Sequence, residues 1–498
     1  MPQIKQVESN ESNNHNVINK FRSVDSHLQK NFLKEGKMSP LLAALIALFL
    51  LPLSGRATAL YVNGATGNNA NSCNHAAEPC KTIKAALDKA PAGYHTIRVT
   101  KGVYTEDSMT LPGYKFITIK GGYNDNFTQQ SEDPAATVIK GIPQSTHEYL
   151  FYTSISGSGN EAGLTLQYLT FTQGYSDTID RAIEFRTYDS ARAWLTINHC
   201  VFTQFSQIVS KFPKVVYARA GTKGETYVNI TDTFFKKNTT EEIIVAEADE
   251  RGKITANIQK CRIIDNGQNI PKLTPISIVA GDSGITTATI ENTLIASNIV
   301  QKGHSIYINT DFASSLTLKL VNTTITDNHS SSNKHDNGLH AIASDSSQLH
   351  IDCINTLLTD NSTSPAADLL FIQQNSASLA FTATHSILGD KQITGNVQYT
   401  STNEVHGDPK FDSRYHMKKG SPAIDTGICG EWILGPILHY ARIAPYDDID
   451  GDRRPGFGKS FGCDIGADEF KKFPWPMFLP AIIHQRHIPF PIPTTPHF

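Results

Sequence analysis

The chain of 498 residues lacks any strong excess of charge, with 44 Lys and Arg against 47 Asp and Glu and a formal net charge of −3. That balance gives no electrostatic case for nucleic acid as a partner. No apolar run is long enough to span a bilayer comfortably. The strongest, Leu41 to Leu53, is thirteen residues long and interrupted by Pro52. Cysteine is scarce, at 7 residues, which excludes a fold stapled throughout by disulfides. The central segments are poor in helix formers and rich in Thr, Ile, Val and Phe, which counts against a helical solenoid.

What the chain does have is a repeated frame. Leu166, Ile197, Ile230, Ile258, Ile290, Leu320, Cys353 and Ala383 are separated by 31, 33, 28, 32, 30, 33 and 30 residues. Two residues before each stands another apolar residue: Leu164, Leu195, Val228, Ala256, Ala288, Leu318, Ile351 or Phe381. Five residues after it come Phe171, Phe202, Phe235, Ile263, Ile295, Ile325, Leu358 and Leu388. Eight residues after it, five consecutive units carry Asn238, Asn266, Asn298, Asn328 and Asn361. A fixed period of this size implies stacked units, none of which can bury its apolar face alone.

The spacing within a unit decides between strand and helix. Apolar residues two apart, with Thr196, Thr289, Lys319 or His350 between them, share one face of a strand. Equivalent residues then lie above one another at about 4.8 Å per layer. A unit of about 31 residues has room for about three short strands, so the fold class is all-β, a parallel β-helix of about ten coils. Its crossovers should be right-handed. Asparagine suits the corner because it tolerates the left-handed backbone and its amide can bond from layer to layer. Cys200 and Cys261 lie two layers apart, about 9–10 Å, too far for a disulfide. With Cys353 they read as small buried hydrophobes.

The start of the chain points to export. Lys34 and Lys37 precede the apolar run, and Ala57-Thr58-Ala59 follows it, so 38–59 reads as a signal peptide cleaved after Ala59. Residues 1–37 are a polar extension, read as disordered or as lying upstream of a true start at Met38. The protein is therefore expected to be secreted or held at the cell surface, in the outer membrane or periplasm. No transmembrane helix is expected beyond the signal segment. Export permits disulfides, and Cys73 with Cys80 and Cys429 with Cys463 are the candidate pairs.

Both ends of a β-helix need a cover. Thr82 to Ala90, with Ile83, Leu87 and Ala90 on one side, predicts a short N-terminal capping helix. Tyr61-Val62-Asn63-Gly64, Pro79 to Leu87, Gly102-Val103-Tyr104, Gly121-Gly122-Tyr123 and Thr137-Val138-Ile139 resemble the opening of bacterial surface β-helix proteins, including polymorphic outer-membrane-protein-like chains. At the other end stand Gly407 to Phe411, Gly420 to Gly427, Asp450 to Pro455 and Asp464 to Phe470. These motifs resemble the choice-of-anchor Q domain that ends secreted bacterial β-helices. The chain departs from that pattern in an insertion-like stretch, Glu431 to Asp447, and in its Pro-rich apolar tail. The division that follows is a β-helix with its cap over 60–405, a closing module over 406–470 and the tail over 471–498.

Candidate chemistry is sparse. Asp448, Asp450 and Asp452 alternate in an oxygen-rich turn that suits Ca²⁺, although a helix–loop–helix calcium loop counted from Asp448 would need glycine and glutamate where Arg453 and Lys459 stand. The competing expectation is a surface turn in which Arg453 or Arg454 pairs with Asp464 or Glu469. No other cofactor is indicated. Parallel β-helices include pectin and alginate lyases and polygalacturonases. Sugar hydrolysis needs facing carboxylates, yet Gly303-His304-Ser305 precedes Asn309-Thr310-Asp311, the reverse of the hydrolase order. Asp177, Asp180, Arg181, Glu184 and Arg186 form one charged group. His329, His335 and His340 fit no zinc spacing. The expected function is a non-enzymatic binding role towards glycan or another cell-surface ligand, performed as a monomer. A polysaccharide lyase or glycoside hydrolase acting on an acidic polysaccharide is the alternative.

Overall fold

The computed structural model describes residues 58–142, 147–173, 181–206, 213–268, 270, 272–300, 303–328, 338–361, 367–433, 439–455 and 462–471. The polar extension, all but the last two residues of the signal segment, and the tail beyond Lys471 lie outside these, as do Asp177, Asp180, His329 and His335.

The chain winds as a parallel β-solenoid with three faces. A long sheet of 12 strands runs from Thr58–Val62 to Gln398–Thr402. A short-strand sheet of 10 runs from Gly102–Glu106 to Ile387–Leu388, and a third sheet of 10 from Met109–Thr110 to Lys391–Thr394. The anchors pair in register through the long sheet, Leu166 with Ile197, Ile197 with Ile230, and so on to Cys353 with Ala383. The residues five later pair likewise through the short-strand sheet, and all eight are buried or nearly so. The rings of Phe171, Phe202 and Phe235 stack at 4.8 and 5.0 Å, one per coil. The frame covers about eight turns rather than about ten. Strands ahead of Leu164 extend the sheets without keeping it.

The corner asparagines stand in one column. Asn238, Asn266, Asn298 and Asn328 each donate from Nδ2 to Oδ1 of the asparagine in the next coil, at 3.0, 2.9, 2.8 and 2.7 Å. Each Nδ2 also reaches back to a core-strand carbonyl, as from Asn298 to Ile263 at 2.8 Å. One expectation fails here. The left-handed residues of this corner are the ones just before the asparagines, Lys237, Asp265, Ser297, Asp327 and Asp360, with φ between 56° and 57°. The amides are selected for hydrogen bonding, not for backbone strain. A second left-handed corner runs through His199, Asp232, Lys260, Asn292, Asn322, Asn355 and His385.

A two-turn helix, α1 (Ile83–Lys89), closes the first coils, buries Ile83, Ala86 and Leu87, and is N-capped by Thr82. Glu106 also accepts the N–H groups of Ile83 (2.6 Å) and Lys84 (3.1 Å). Burial pushes the Glu106 carboxyl up to about 7, despite those bonds. Cys73–Cys80 and Cys429–Cys463 are disulfides, each with Cα atoms 5.1 Å apart. Cys200, Cys261 and Cys353 are buried thiols. The strand Thr58–Val62 begins two residues before the expected cleavage point, and Thr58 Oγ1 meets His95 Nδ1 at 2.6 Å.

The C-terminal module packs along the flank of the solenoid. Leu294, Ala296, Leu357 and Ile387, on the short-strand sheet, are covered by Ile449, Ala467, Ile465, Met417 and Ala423. Those outward apolar residues are what the module hides from water.

Candidate functional site

Three constellations have enough organised chemistry to be considered. The first is the heart of the C-terminal module. Arg454 is fully buried and pairs with Glu469 at 3.0 Å, while donating to the carbonyls of Gly466 (3.0 Å) and Ala467 (2.8 Å). Asp448 is buried too. Its Oδ1 accepts the N–H groups of Asp450 (2.9 Å) and Asp452 (2.7 Å), and its Oδ2 that of Glu469 (2.9 Å). With both oxygens so engaged, Asp448 is a loop organiser, and Asp452 turns to Lys471 at 2.7 Å. The alternating aspartates therefore do not present a shared oxygen cage. Nor is the Arg454 pairing on the surface, where the sequence suggested it.

Sequence reasoning missed what holds this module in place. Asn292, Asn322 and Asn355, in the second left-handed corner, donate to the carbonyls of Asp447 (2.6 Å), Asp464 (3.0 Å) and Ile428 (2.7 Å). The repeated Asn-Thr pairs were visible in the frame. Their partners, 73 to 155 residues away, were not.

The second constellation is the charged outer face of the third sheet. Arg181 holds Glu184 at 2.6 Å, Arg186 also contacts Glu184, and the Arg186 guanidinium lies 5.5 Å from the Tyr217 ring. Tyr217 donates to Glu247 at 2.9 Å, and Arg219 meets Glu247 at 3.4 Å and Asp249 at 2.7 Å. Every carboxylate of this group is engaged by a guanidinium. Burial alone would loosen the protons of Arg186 and Arg219, but the adjacent acids reverse that and hold both above their ordinary range. Neither arginine is arranged as a general base, and among the described residues of this group Glu184, Glu247 and Asp249 are all paired with guanidinium groups. Further along the sheet, His340 Nδ1 meets His304 Nε2 at 2.9 Å, and burial lowers His340 to about 4.

The third constellation lies on the long sheet. Tyr94, Phe116, Gly163, Trp194 and Tyr227 occupy one outward register position in five successive strands. Ring centroids are 4.5 Å apart for Tyr94 and Phe116, 5.9 Å for Phe116 and Trp194, and 5.6 Å for Trp194 and Tyr227. Gly163 lets the stripe continue. A Cβ there would stand 2.8 Å from Phe116 Cδ1, so the glycine makes room for the Phe116 ring to lean towards Trp194. Trp194 and Tyr227 are within 7° of parallel yet 5.6 Å apart. Rings in contact at about 3.5–4 Å can have that centroid distance only if they slide past each other, like shingles. Part of each face therefore stays open. Tyr94 is 63% exposed and Tyr227 37%. Beyond Tyr227 the same column continues as Thr255, Thr287 and Thr317.

Polar rows flank the stripe. On one side Glu161, Arg192, Glu225 and Lys253 alternate in sign, with Arg192–Glu161 at 2.9 Å and Lys253–Glu225 at 3.6 Å. On the other side run Thr118, Thr165, Thr196 and Asn229. An apolar track between two rows of donors and acceptors is complementary to a sugar chain, whose residues have apolar ring faces and hydroxyl edges.

No protein-family model matches the chain, and no curated protein does. Among solved structures, it is similar to a pectate lyase, Pel9A, at 12% identity and a TM-score of 0.42, over 84% of this chain and 98% of that one.

Proposed function

We propose that the protein is an exported β-helix that binds an extended glycan along its long sheet without cleaving it. The stripe from Tyr94 to Tyr227, open to solvent and bordered by hydrogen-bonding rows, carries this reading. The signal segment and the two disulfides support export to an oxidising compartment. Among the described residues no helix is long and apolar enough to cross a membrane. The module over 406–470, similar to choice-of-anchor Q domains, would then brace the flank of a surface-displayed solenoid.

The lyase or hydrolase reading has no comparable support. The charged face of the third sheet is closed on itself by ion pairs, and its arginines are fixed as cations. Affinity electrophoresis against neutral and acidic polysaccharides, paired with assays for unsaturated and reducing ends, tests the proposal. Retardation without new ends, weakened about tenfold by Trp194→Ala through loss of one stacked ring, is expected. New chain ends from wild-type protein would reject it.

A further inference from the structure

We propose that His416, Asp450 and Asp468 form a binding site for a divalent transition-metal ion of the zinc class. This proposal is independent of the glycan reading and shares only Asp450 with the alternating aspartates. The three side chains come from three separate loops of the C-terminal module, and their ligating atoms lie within 4.8 Å of one another. His416 Nε2 is 2.9 Å from Asp450 Oδ2, a separation that a bridging ion widens by a few tenths of an ångström. Asp468 is only 9% exposed. Its Oδ2 accepts the Met417 N–H at 2.9 Å, which fixes the carboxylate in place. An imidazole and two carboxylates held this close from three loops are the mark of a ligand set.

The surroundings agree. Asp412 Oδ2 lies 3.8 Å from His416 Nδ1, on the side away from the site. Asp412 is itself fixed by the N–H groups of Arg414 (2.8 Å) and His416 (2.9 Å). A carboxylate behind a ligating imidazole sets its tautomer and raises its basicity. Arg262 contacts the other oxygen of Asp450, which aims Oδ2 at His416 and links the site to the solenoid. Asp448, the remaining nearby acid, has its oxygens bound to backbone N–H groups and is not a ligand. One imidazole with two carboxylates favours zinc or cobalt over calcium or magnesium. His416 and Asp450 are partly exposed, which leaves the outer coordination positions to water. The ion would tie three loops of the module together and, through Arg262, to the solenoid.

Calorimetry with Zn²⁺ and the visible spectrum with Co²⁺, on the exported full-length chain, test this. Wild type should bind one more ion than His416→Gln or Asp468→Asn, and zinc should raise its Tm and not theirs. The comparison with variants removes any contribution from His484, His487 and His497 of the tail. Should those variants fail to fold, Asp412→Asn, which leaves all three ligands in place, should weaken binding by about tenfold. Equal stoichiometry in folded wild type and variants, or unchanged affinity in Asp412→Asn, would overturn the proposal.

Discussion

The backbone N–H of Asn361 donates to Oδ1 of Asp368 at 2.7 Å, so the asparagine column ends on a carboxylate. Asn238, Asn266 and Asn298 pass their N–H groups to the amide of the next coil, as Asn298 does to Asn328 at 3.2 Å. The next coil has Lys391 at the frame position eight residues past Ala383, and Asp368 supplies the missing acceptor from the same coil. A Cβ on Gly389 would lie 1.8 Å from Asp368 Oδ2, which accounts for the glycine.

Removing a middle rung should be costly. Asn298→Ala leaves the Asn266 N–H buried without its acceptor and removes the amide bonds to the Ile263 carbonyl and to Asn328. A loss of about 2–4 kcal/mol is expected, read as a lower urea midpoint at constant slope.

Two buried acids set a pH dependence. Glu106 is pushed up to about 7 from 4.5, and Asp368 to about 6 from 3.8, both chiefly by burial. A raised folded value means the native state holds the proton more tightly than the unfolded chain. The stability they contribute is complete below about pH 4 and is lost as pH rises through about 6 and then about 7. In chemical unfolding from pH 4 to 7.5, Glu106→Gln and Asp368→Asn should each flatten the decline in their own window. A variant whose curve stays parallel to wild type would contradict the assignment for that residue.

Much of the solenoid was legible because its period is a physical necessity: a coil can bury its residues only beneath the same residues of the next. The aromatic stripe was half legible. Trp194 and Tyr227 both stand three before an anchor, and so does Gly163, but Tyr94 and Phe116 belong to opening coils that do not keep the frame. The second left-handed corner carries a repeated residue type only at Asn292, Asn322 and Asn355, and its earlier members, His199, Asp232 and Lys260, differ from coil to coil. The converging set His416, Asp450 and Asp468 was hidden because its members come from three motifs brought together only by folding. Asp448, Asp450 and Asp452 were conspicuous in sequence, yet their order along the chain said nothing about which oxygens the backbone would claim.

The buried pair in the module should behave as an uncompensated charge when broken. Arg454→Met leaves Glu469 without its guanidinium and should cost about 3–5 kcal/mol, while Arg454→Met with Glu469→Gln should recover part of it. Limited proteolysis should show the module released from the flank before the solenoid is cut.

The three unpaired cysteines should be inert in the native protein. Burial raises all three thiols, Cys200 and Cys261 to about 12, and leaves them out of reach of reagents. Iodoacetamide should label none before unfolding and all three after it.

The glycan proposal rests on one ring more than any other, and the protein has only 3 tryptophans. Replacing Trp432 and Trp475 by Phe leaves Trp194 as the sole tryptophan reporter, in the middle of the stripe. Titrating this variant with an oligosaccharide of a polymer retained in electrophoresis should blue-shift its emission, with a midpoint matching calorimetry. Binding by calorimetry with unchanged Trp194 emission would place the ligand elsewhere and contradict the account.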